Sequence, residues 1–338
     1  MGQLLEQGIN LWAKEYKTID GRPVTFTYAD DQGNANGGAA AARKLTSQDH
    51  VDAILGPFDT DAATGALPIT DAAKIIEVPL TAYQPAHLPS QFPYSFPLQY
   101  SDSEAGTLAI IGAQAVHSKK LAILSVASEF GTSTQTAVLN AAKEAHIDVV
   151  STQEYPDNAT DLSTELSKAE AAGADAIIVN SLVNSDYRLI FTAMAALDYR
   201  VPVIGGSPAA DPSVVASIPA AYRQYLWVTS AAAAAIKPVT PQVQQFVQQW
   251  TKIYGKAPIT NVSTLGASYD AMSFLRWAFS GPDDSSADKV ENFVVSTNNF
   301  VGVQGKYTFT SQFRGLLTDQ AGTAQAASFD GGTFTGVK

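Results

Sequence analysis

The chain has 338 residues, which is long for a single hydrophobic core and indicates two lobes. Its formal net charge of −11 argues against a surface for nucleic acid or for an anionic membrane. The chain has no cysteine, so disulfides and thiolate sites are excluded, and no apolar run approaches the roughly 20 residues that span a bilayer. The composition, 46% hydrophobic and 16% charged, is that of a globular protein.

The first residues predict a helix followed by a strand and a second helix. Apolar residues at helical spacing predict the first helix around Leu4 to Trp12. Residues 22–28 alternate, with Val24, Phe26 and Tyr28 on one face, which predicts a strand. A helix is predicted over residues 39–45.

Residues 51–85 predict a βαβ unit, around which we organise the interpretation of the chain. A short apolar strand over 53–55 stops at Gly56-Pro57, a helix begins near Asp59 and Thr60, and a second strand covers 78–82. Either Asp59 or Thr60 can cap the helix, whose free N–H groups could then bind a small anion or carboxylate. An ordinary capped helix with nothing bound explains this stretch equally well.

Beyond a Pro-rich loop over 85–97, the alternation of helices and strands continues. Helices are predicted over 101–116, 132–145, 162–172, 187–196 and 212–216, and strands over 121–126, 148–152, 176–180, 201–204 and 225–229. Because a second run of alternating strands and helices starts with the strand over 121–126, we place a lobe boundary near residue 118. The chain is completed by long helices over 241–254 and 264–279, a third helix over 288–295, strands over 300–305 and 306–309, and a tail that alternates over 324–331 and closes with Thr333-Phe334.

Signatures of enzymes, nucleotides and metals are missing. The stretch from Gly205 to Ala209 nearly matches a GxSxG elbow, but Ala209 replaces its last glycine and all four histidines precede Ser207. Neither GxGxxG nor GxxxxGK[ST] occurs, and no two histidines have metal-ligand spacing. The pairs Asp30-Asp31 and Asp283-Asp284 lack the pattern of a calcium loop. We therefore predict no catalytic residue, no cofactor and no metal.

Small polar and aromatic residues stand at the predicted strand-to-helix junctions. In a doubly wound fold, such junctions lie at the carboxyl edges of the sheets, where ligands bind. Their N–H and hydroxyl groups suit a carboxylate, and Tyr83 and Phe130 suit an apolar group. The junctions are Phe58-Asp59-Thr60, Thr81-Ala82-Tyr83, Ser128-Glu129-Phe130-Gly131, Leu182-Val183-Asn184 and Gly205-Gly206-Ser207.

In their order and spacing, these segments resemble the type I periplasmic binding proteins. The resemblance is to the branched-chain amino-acid (leucine–isoleucine–valine) receptors of ABC importers in particular. It rests on GINLWAKEY with DGRPVTFTYADD, DAILGPFDTDAATGALPITDAAKIIEVPLTAYQP, LAILSVASEFGTSTQTAV, ADAIIVNSLVNSDYRLIFTAMAALDYRVPVIGGSP, and LGASYDAMSFLRWAF with FVGVQGKYTF. No single motif is specific, but together they cover nearly the whole chain.

The resemblance implies an α/β fold of two doubly wound parallel-sheet lobes joined by a three-crossover hinge. We place the crossovers near His117, Ser230 and Gly305. Lobe one then comprises residues 1–117 and 231–305, and lobe two comprises 118–230 and 306–338. Such lobes close on a ligand by hinge motion.

The resemblance also implies a role for each junction residue. Thr60 would give its hydroxyl and Tyr83 its N–H to a ligand carboxylate, with main-chain groups of Thr81 and Ala82 beside them. Phe130 would pack on the ligand from the second lobe. Phe58, Asp59, Val183 and Ser207 complete the predicted ligand-binding set.

Two departures from the family pattern bear on the ligand. Amino-acid receptors of this family commonly have an acidic residue where Ser207 stands, which holds the ligand ammonium. Asp59 could provide that charge instead, and an aromatic or aliphatic carboxylate without an ammonium fits equally well. The family's first strand, central in lobe one, has no counterpart in this sequence. Either the true start lies upstream, or the protein itself lacks this strand, in which case we expect lobe one to be less stable.

We therefore expect a non-enzymatic, extracytoplasmic solute-binding protein, periplasmic or membrane-associated, with the signal sequence or lipid anchor outside this chain. It would capture a hydrophobic amino acid or a related organic acid in the interlobe cleft for an ABC permease, as a monomer and without nucleic acid. A ligand-sensing domain of a receptor or regulator with the same fold is the alternative. An enzyme is the third interpretation.

Overall fold

The computed structural model describes residues 2–231, 236–237, 239–258, 262–325 and 334–336. Their contacts form two compact units, unit 1 with Met1–Ser101 and Thr264–Leu317 and unit 2 with Asp102–Ser263 and Thr318–Lys338. The chain therefore passes between the units three times, at positions that differ from the predicted crossovers near His117, Ser230 and Gly305. Within the described ranges, no helix has the length and apolar character needed to cross a membrane.

The described helices and strands follow the predicted alternation closely. The α-helices are α1 Gly2–Glu15, α2 Ala35–Arg43, α3 Thr60–Ala72, α4 Asp102–Ala115, α5 Glu129–Glu144, α6 Ser163–Ala171, α7 Asn184–Leu197, α8 Pro212–Ser217, α9 Pro241–Tyr254, α10 Val262–Phe279 and α11 Ala287–Thr297. The strands are β1 Thr18–Ile19, β2 Arg22–Pro23, β3 Ala53–Leu55, β4 Ile76–Val78, β5 Lys120–Val126, β6 Asp148–Tyr155, β7 Ala176–Asn180, β8 Val203–Gly205, β9 Leu226–Ala231, β10 Ile236–Lys237, β11 Thr308–Phe309, β12 Arg314–Gly315, β13 Ala321–Gln325 and β14 Phe334–Thr335.

Unit 2 is built on a six-stranded sheet in the order β13-β9-β8-β7-β5-β6. Five of these strands are parallel, and β13 pairs antiparallel with β9. All five residues of β7 are buried, since both faces of the sheet are covered. One face packs with Leu166 of α6 and Phe191 of α7, and the other with Ile110 of α4 and Val138 of α5.

Helix α4 belongs to unit 2 because it packs on the sheet of that unit. Its close approach depends on glycine, since a Cβ at Gly106 would lie 2.6 Å from the carbonyl carbon of Ala137 in α5, and one at Gly112 would lie 2.7 Å from Ile204 Cγ2 in β8. The sequence interpretation placed residues 102–117 in lobe one, whereas the contacts group this helix with unit 2.

In unit 1, β3 and β4 form a parallel pair, with Ile54 opposite Glu77 and Leu55 opposite Val78. The main chain of residues 94–96 continues the pairing, since Phe96 N–H donates to Glu77 O over 2.8 Å. Helix α3 connects β3 to β4, which completes the predicted βαβ unit. The second predicted strand lies earlier than expected, at Ile76–Val78 rather than over 78–82.

The prediction of a strand over residues 22–28 is wrong beyond its first two residues. Only Arg22–Pro23 forms a strand, which pairs antiparallel with β1. Phe26 and Tyr28 are 39% and 56% exposed. Alternation gives a segment two faces, but a strand also needs a neighbouring main chain. Val24 N–H donates to Lys17 O over 3.1 Å, whereas the main chain of residues 25–28 has no such partner among the described residues.

The predicted strand over 300–305 is a tight turn. Gly302 N–H donates to Gly305 O over 2.8 Å, and an isolated bridge joins Val301 and Lys306. Buried Asp270 of α10 accepts hydrogen bonds from Val303 N–H over 2.6 Å and from Gln304 N–H over 3.0 Å. Asp270 thus provides hydrogen-bond acceptors for the main chain of the turn, although it lies 33 residues before Val303 in the chain. The local sequence pattern could therefore not predict this turn. In the predicted tail, residues 326–333 lie outside the described residues.

Candidate ligand-binding site

The N-terminus of α3 follows directly after β3 in unit 1. Asp59 caps this helix, because its Oδ1 accepts a hydrogen bond from Asp61 N–H over 2.9 Å. Phe58 and Asp59 are half-buried, whereas Thr60 is 1% exposed. The helix dipole therefore points its positive end at a buried hydroxyl.

Thr60 meets the second predicted junction through this hydroxyl. Its Oγ1 lies 2.9 Å from Thr81 Oγ1, and both side chains are buried. Tyr83 N–H donates to Thr81 Oγ1 over 3.2 Å. The structure thus brings together Thr60, Thr81 and the main chain of Tyr83, with Ala82 half-buried between the last two. We call Thr60 and Thr81 the threonine pair.

A buried histidine, His87, contacts the main chain of Thr81. His87 Nε2 lies 3.2 Å from Thr81 O, and its Nδ1 lies 2.6 Å from Arg314 O. Burial lowers the pKa of His87 to about 4, although both carbonyls oppose this shift. The Thr81 carbonyl, one of the main-chain groups predicted to lie beside the ligand, therefore contacts His87. Nothing in the local sequence around His87 indicated this role.

Asp59 is the one carboxylate among the predicted ligand-binding residues. Burial raises its pKa, hydrogen bonds from Asp61 N–H and Ala62 N–H lower it, and the nearby carboxylates of Asp61 and Asp31 raise it further. Its side chain already caps α3. The five junction stretches contain no lysine or arginine, so the groups there that favour an anion are main-chain N–H groups and hydroxyls.

In unit 2, the junction after β5 places Phe130 in the first turn of α5. Ser128 caps this helix by accepting a hydrogen bond from Gly131 N–H over 3.2 Å. Gly131 is required here, since a Cβ would lie 1.8 Å from Val126 O. Phe130 is half-buried and packs against the apolar core of unit 2. Part of its ring surface therefore already has a partner in the protein.

The junction after β7 is held by a buried carboxylate. Asp186 Oδ2 accepts hydrogen bonds from Ser181 Oγ over 2.6 Å and from Tyr155 OH over 2.9 Å. Ser181 Oγ in turn accepts from Val183 N–H over 2.9 Å. These contacts fix a turn from which Val183 remains 40% exposed. Sequence inspection selected Val183 but missed Asp186.

The junction after β8 carries a second pair of hydroxyls. Ser207 Oγ lies 2.6 Å from Ser230 Oγ, which is near the end of the neighbouring strand β9. Since β5, β7, β8 and β9 are parallel neighbours, Phe130, Val183 and Ser207 lie at the same edge of the sheet. We call Ser207 and Ser230 the serine pair. Ser230 was not predicted, because only the sheet order makes it a neighbour of Ser207.

Each unit therefore carries one set of junction residues. Unit 1 provides hydroxyls at a helix N-terminus, and unit 2 provides hydroxyls with an exposed valine and a half-buried phenylalanine. Hydroxyl and N–H groups of this kind can bind a carboxylate, and the apolar groups can bind a hydrocarbon. Among the described residues, no three histidine, aspartate or glutamate side chains come together in a group that could hold a metal ion.

Comparison with known proteins defines the family. The model of the family "Periplasmic binding protein" matches residues 1–329. The Leu/Ile/Val-binding protein homolog 7 of Brucella abortus strain 2308 is 24% identical over 286 residues, which cover 78% of this chain and 69% of that protein. The chain belongs to the periplasmic binding protein family.

Solved structures show the same fold. A leucine-binding protein LivK from Thermotoga maritima superposes with a TM-score of 0.83 at 18% identity, covering 100% of this chain and 93% of that one. A Rhodopseudomonas palustris solute-binding protein in complex with 4-hydroxybenzoate gives 0.83 at 20% identity, covering 98% and 90%. LivJ from Streptococcus pneumoniae in complex with isoleucine gives 0.80 at 17% identity, covering 100% and 94%.

These findings confirm the predicted family, its α/β fold of type I and its general function as a substrate-binding protein. The family consists of substrate-binding proteins and implies an extracytoplasmic location. The predicted residue roles and lobe boundaries stay predictions.

Proposed function

We propose that this protein captures a small ligand through its carboxylate, that residues of both units contact the ligand, and that the closed form is recognised by an ABC permease. The observation that carries the proposal is the threonine pair, two buried hydroxyls 2.9 Å apart at the start of α3. A ligand that binds better to the closed than to the open arrangement stabilises closure by that difference in affinity.

The threonine pair suits a carboxylate for two physical reasons. The first turn of α3 adds a positive dipole end and free N–H groups, which favour negative charge. A hydrogen bond from a hydroxyl to a carboxylate is roughly twice as strong as one between two neutral groups. The ligand would therefore exchange the contact between Thr60 and Thr81 for stronger contacts with itself, and Tyr83 N–H would be shared with it.

We further propose that the ligand has no ammonium group. An ammonium taken out of water needs a compensating charge. The serine pair is neutral, and Asp59, the alternative counter-charge, already caps α3 by accepting a hydrogen bond from Asp61 N–H. An aromatic or branched aliphatic acid fits Phe130 and Val183 without this requirement. Among the similar solved proteins, one is in complex with 4-hydroxybenzoate and one with isoleucine.

Matched ligand pairs test this proposal directly. Phenylalanine and 3-phenylpropanoate differ in the ammonium, as do leucine and 4-methylpentanoate. Each is titrated into the purified protein by calorimetry after a thermal-shift screen, in which a ligand at 100 times its dissociation constant adds about 2.7 kcal/mol. We expect the acids to bind and the amino acids to bind at least tenfold more weakly. Tighter binding of the amino acids would assign Asp59 as the ammonium partner and refute the second part of the proposal.

The remaining parts have separate tests. If the protein is only a binder, mass spectrometry of the ligand after long incubation will show it unchanged. A monomer will give a single mass of 35.6 kDa by light scattering, with and without ligand. Reconstitution with the permease in vesicles distinguishes import from the alternative role as a sensing domain, because only the first gives ligand accumulation.

A further inference from the structure

His87 is a fully buried side chain that contacts two distant parts of unit 1. It ends a short helical turn, Gln84–His87, and is 0% exposed. Its Nε2 lies 3.2 Å from Thr81 O, beside the threonine pair, and its Nδ1 lies 2.6 Å from Arg314 O. The ring therefore stands between the candidate ligand-binding junction and a segment 227 residues later in the chain.

Arg314 belongs to the segment through which the chain leaves unit 1. Unit 1 ends at Leu317, where the chain passes to unit 2. Leu316 N–H donates to Gln99 O over 3.0 Å, and Gln99 itself lies just before another passage between the units. We call residues 314–317 the crossover segment. Hinge closure is absorbed by a few main-chain torsion angles at passages of this kind.

The ring of His87 fits closely against this part of the chain. Gly315 has a φ of +142°, and a Cβ there would lie 2.7 Å from His87 Nδ1, so only glycine suits this position. The ring of Phe313 stacks on the imidazole with 5.7 Å between the ring centroids. The position of the imidazole is therefore fixed by the crossover segment and by the residue before it.

Only one of the two carbonyl contacts can be a hydrogen bond at a time. Carbonyl oxygens only accept, and a neutral imidazole carries a single N–H. Burial lowers the pKa of His87 to about 4, so the ring is neutral near pH 7. The shorter contact, 2.6 Å to Arg314 O, indicates that Nδ1 carries the proton and that the unprotonated Nε2 faces Thr81 O. The carbonyls of Thr81 and Arg314 thus compete for one proton.

The Thr81 carbonyl shares its peptide unit with Ala82 N–H, a group predicted to lie beside the ligand. In a trans peptide the C=O and N–H point to opposite sides, so His87 and a ligand can contact this unit from its two sides. No main-chain oxygen among the described residues accepts from Ala82 N–H. Hydrogen bonds in a chain polarise one another. A carboxylate that accepts from Ala82 N–H therefore makes Thr81 O a stronger acceptor and favours a proton on Nε2.

We propose that His87 couples ligand binding to the crossover segment by transferring its hydrogen bond from Arg314 O to Thr81 O when a carboxylate binds. Nδ1 loses a proton to water and Nε2 gains one from water, so the ring stays neutral. The new hydrogen bond strengthens Ala82 N–H as a donor to the ligand, and Arg314 O is released as the hinge closes. His87 is thus a positioning residue for the proposed carboxylate site, on which this inference rests.

The tautomer of His87 is measured by NMR on the full chain labelled with ¹⁵N-histidine. The chain has four histidines, of which His50, His117 and His146 are exposed, and the His87 signals are those missing from His87→Phe. Long-range ¹H–¹⁵N correlations are recorded at neutral pH without ligand and with saturating 3-phenylpropanoate, or with 4-methylpentanoate if calorimetry selects that acid. We expect Nδ1–H without ligand and Nε2–H with it. The same tautomer in both states would overturn the proposal, as would an imidazolium in either.

Two amide variants separate the two contacts of the ring. The amide nitrogen of asparagine can take the place of Nδ1 and that of glutamine the place of Nε2, so His87→Asn keeps the donor to Arg314 O and His87→Gln keeps the donor to Thr81 O. We expect His87→Gln to bind the acid about as tightly as the unaltered protein and His87→Asn to bind it roughly fivefold more weakly. Equal affinities of the two variants would refute the coupling, because a role in packing alone does not distinguish them.

Thr60→Val distinguishes a failure of this inference from a failure of the proposed function. If Thr60→Val binds the acid as tightly as the unaltered protein, the carboxylate site is wrong and the coupling is refuted with it. If Thr60→Val weakens binding but the ligand leaves the tautomer of His87 unchanged, the carboxylate site stands and the coupling alone is refuted. The NMR comparison of ligand-free and ligand-bound states uses the unaltered protein, so it does not depend on the stability of the amide variants.

Discussion

Replacement of Thr60 by valine removes one hydroxyl while keeping the shape of the side chain, and it tests the unit 1 half of the candidate site. Thr60 is 1% exposed, and its Oγ1 has Thr81 Oγ1 as partner at 2.9 Å. In the ligand-free protein, the substitution removes one neutral hydrogen bond, worth about 0.5–1.5 kcal/mol of stability. Thr81 Oγ1 keeps its hydrogen bond from Tyr83 N–H, so we expect the fold to be retained.

The effect on ligand binding is estimated in the same way. A hydrogen bond to a charged group contributes about 1.5–3 kcal/mol, and the loss of the neutral contact in the free protein offsets roughly 1 kcal/mol of it. The net weakening is then about 0.5–2 kcal/mol, or roughly 2- to 30-fold in dissociation constant. We would measure it by calorimetry with the acid that binds best in the screen.

The same helix offers a matched control. Thr64 Oγ1 donates to Asp61 O over 2.7 Å, within α3 and one turn beyond Thr60. Thr64→Val therefore makes the same chemical change in the same helix, and we expect unchanged affinity. Thr60→Ser should restore most of the affinity, because it returns the hydroxyl. An unchanged affinity of Thr60→Val, with folding intact, would remove Thr60 from the site and refute the reasoning.

Three further predictions concern the other half of the site and two buried ionisable groups. Phe130→Ala should weaken binding more than tenfold and lower the melting temperature by only a few degrees, because the ring is half-buried; a large loss of melting temperature with unchanged affinity would mark it as core. Burial raises the pKa of Glu77 to about 8. Between pH 4.5 and 8 the folded protein keeps a proton on Glu77 that the unfolded chain releases, so the free energy of unfolding should fall by about 1.4 kcal/mol per pH unit. Urea titrations of Glu77→Gln should lack this slope. Burial lowers the pKa of His87 to about 4, so its contribution should be complete above pH 6.5 and lost as the pH falls towards 4; an acid melting curve identical for His87→Asn would contradict this.

The sequence predicted unit 2 better than unit 1, and the reason is physical. A parallel strand covered on both faces needs a continuous apolar run. The strands over residues 121–126 and 176–180 can therefore be predicted without knowing which strands lie beside them. Strand β7 occupies Ala176–Asn180, as expected. Residues 22–28 have an equally clear pattern, yet only two of them pair, because a strand is defined by its neighbours and these are not local in sequence.

The same distinction applies to the candidate site. The junctions could be located from sequence, because each begins where an apolar run stops and a helix cap follows, as at Ser128. The groups that hold the junctions in place could not. The His87 ring contacts the carbonyl of Thr81, six residues earlier in the same loop. Ser230 contacts Ser207 because strands β8 and β9 are neighbours in the sheet. Such contacts follow from tertiary structure, which no spacing rule encodes.

The two hydroxyl pairs suggest how a site with no fixed positive side chain can bind an anion. In each unit, the two hydroxyls of the pair contact each other, at 2.9 Å for Thr60 with Thr81 and 2.6 Å for Ser207 with Ser230. Each of these hydroxyls, of which Thr60, Thr81 and Ser230 are buried, therefore has a partner within its own pair. A hydroxyl can also rotate between donor and acceptor roles, which a lysine cannot. Since the attraction for the ligand then comes from a helix dipole and short-range hydrogen bonds, and buried interactions are screened little by salt, we expect the affinity to change by less than about threefold between 0.05 and 0.5 M salt. A steep loss of affinity over that range would show that side chains of opposite charge, outside the junctions described above, dominate binding.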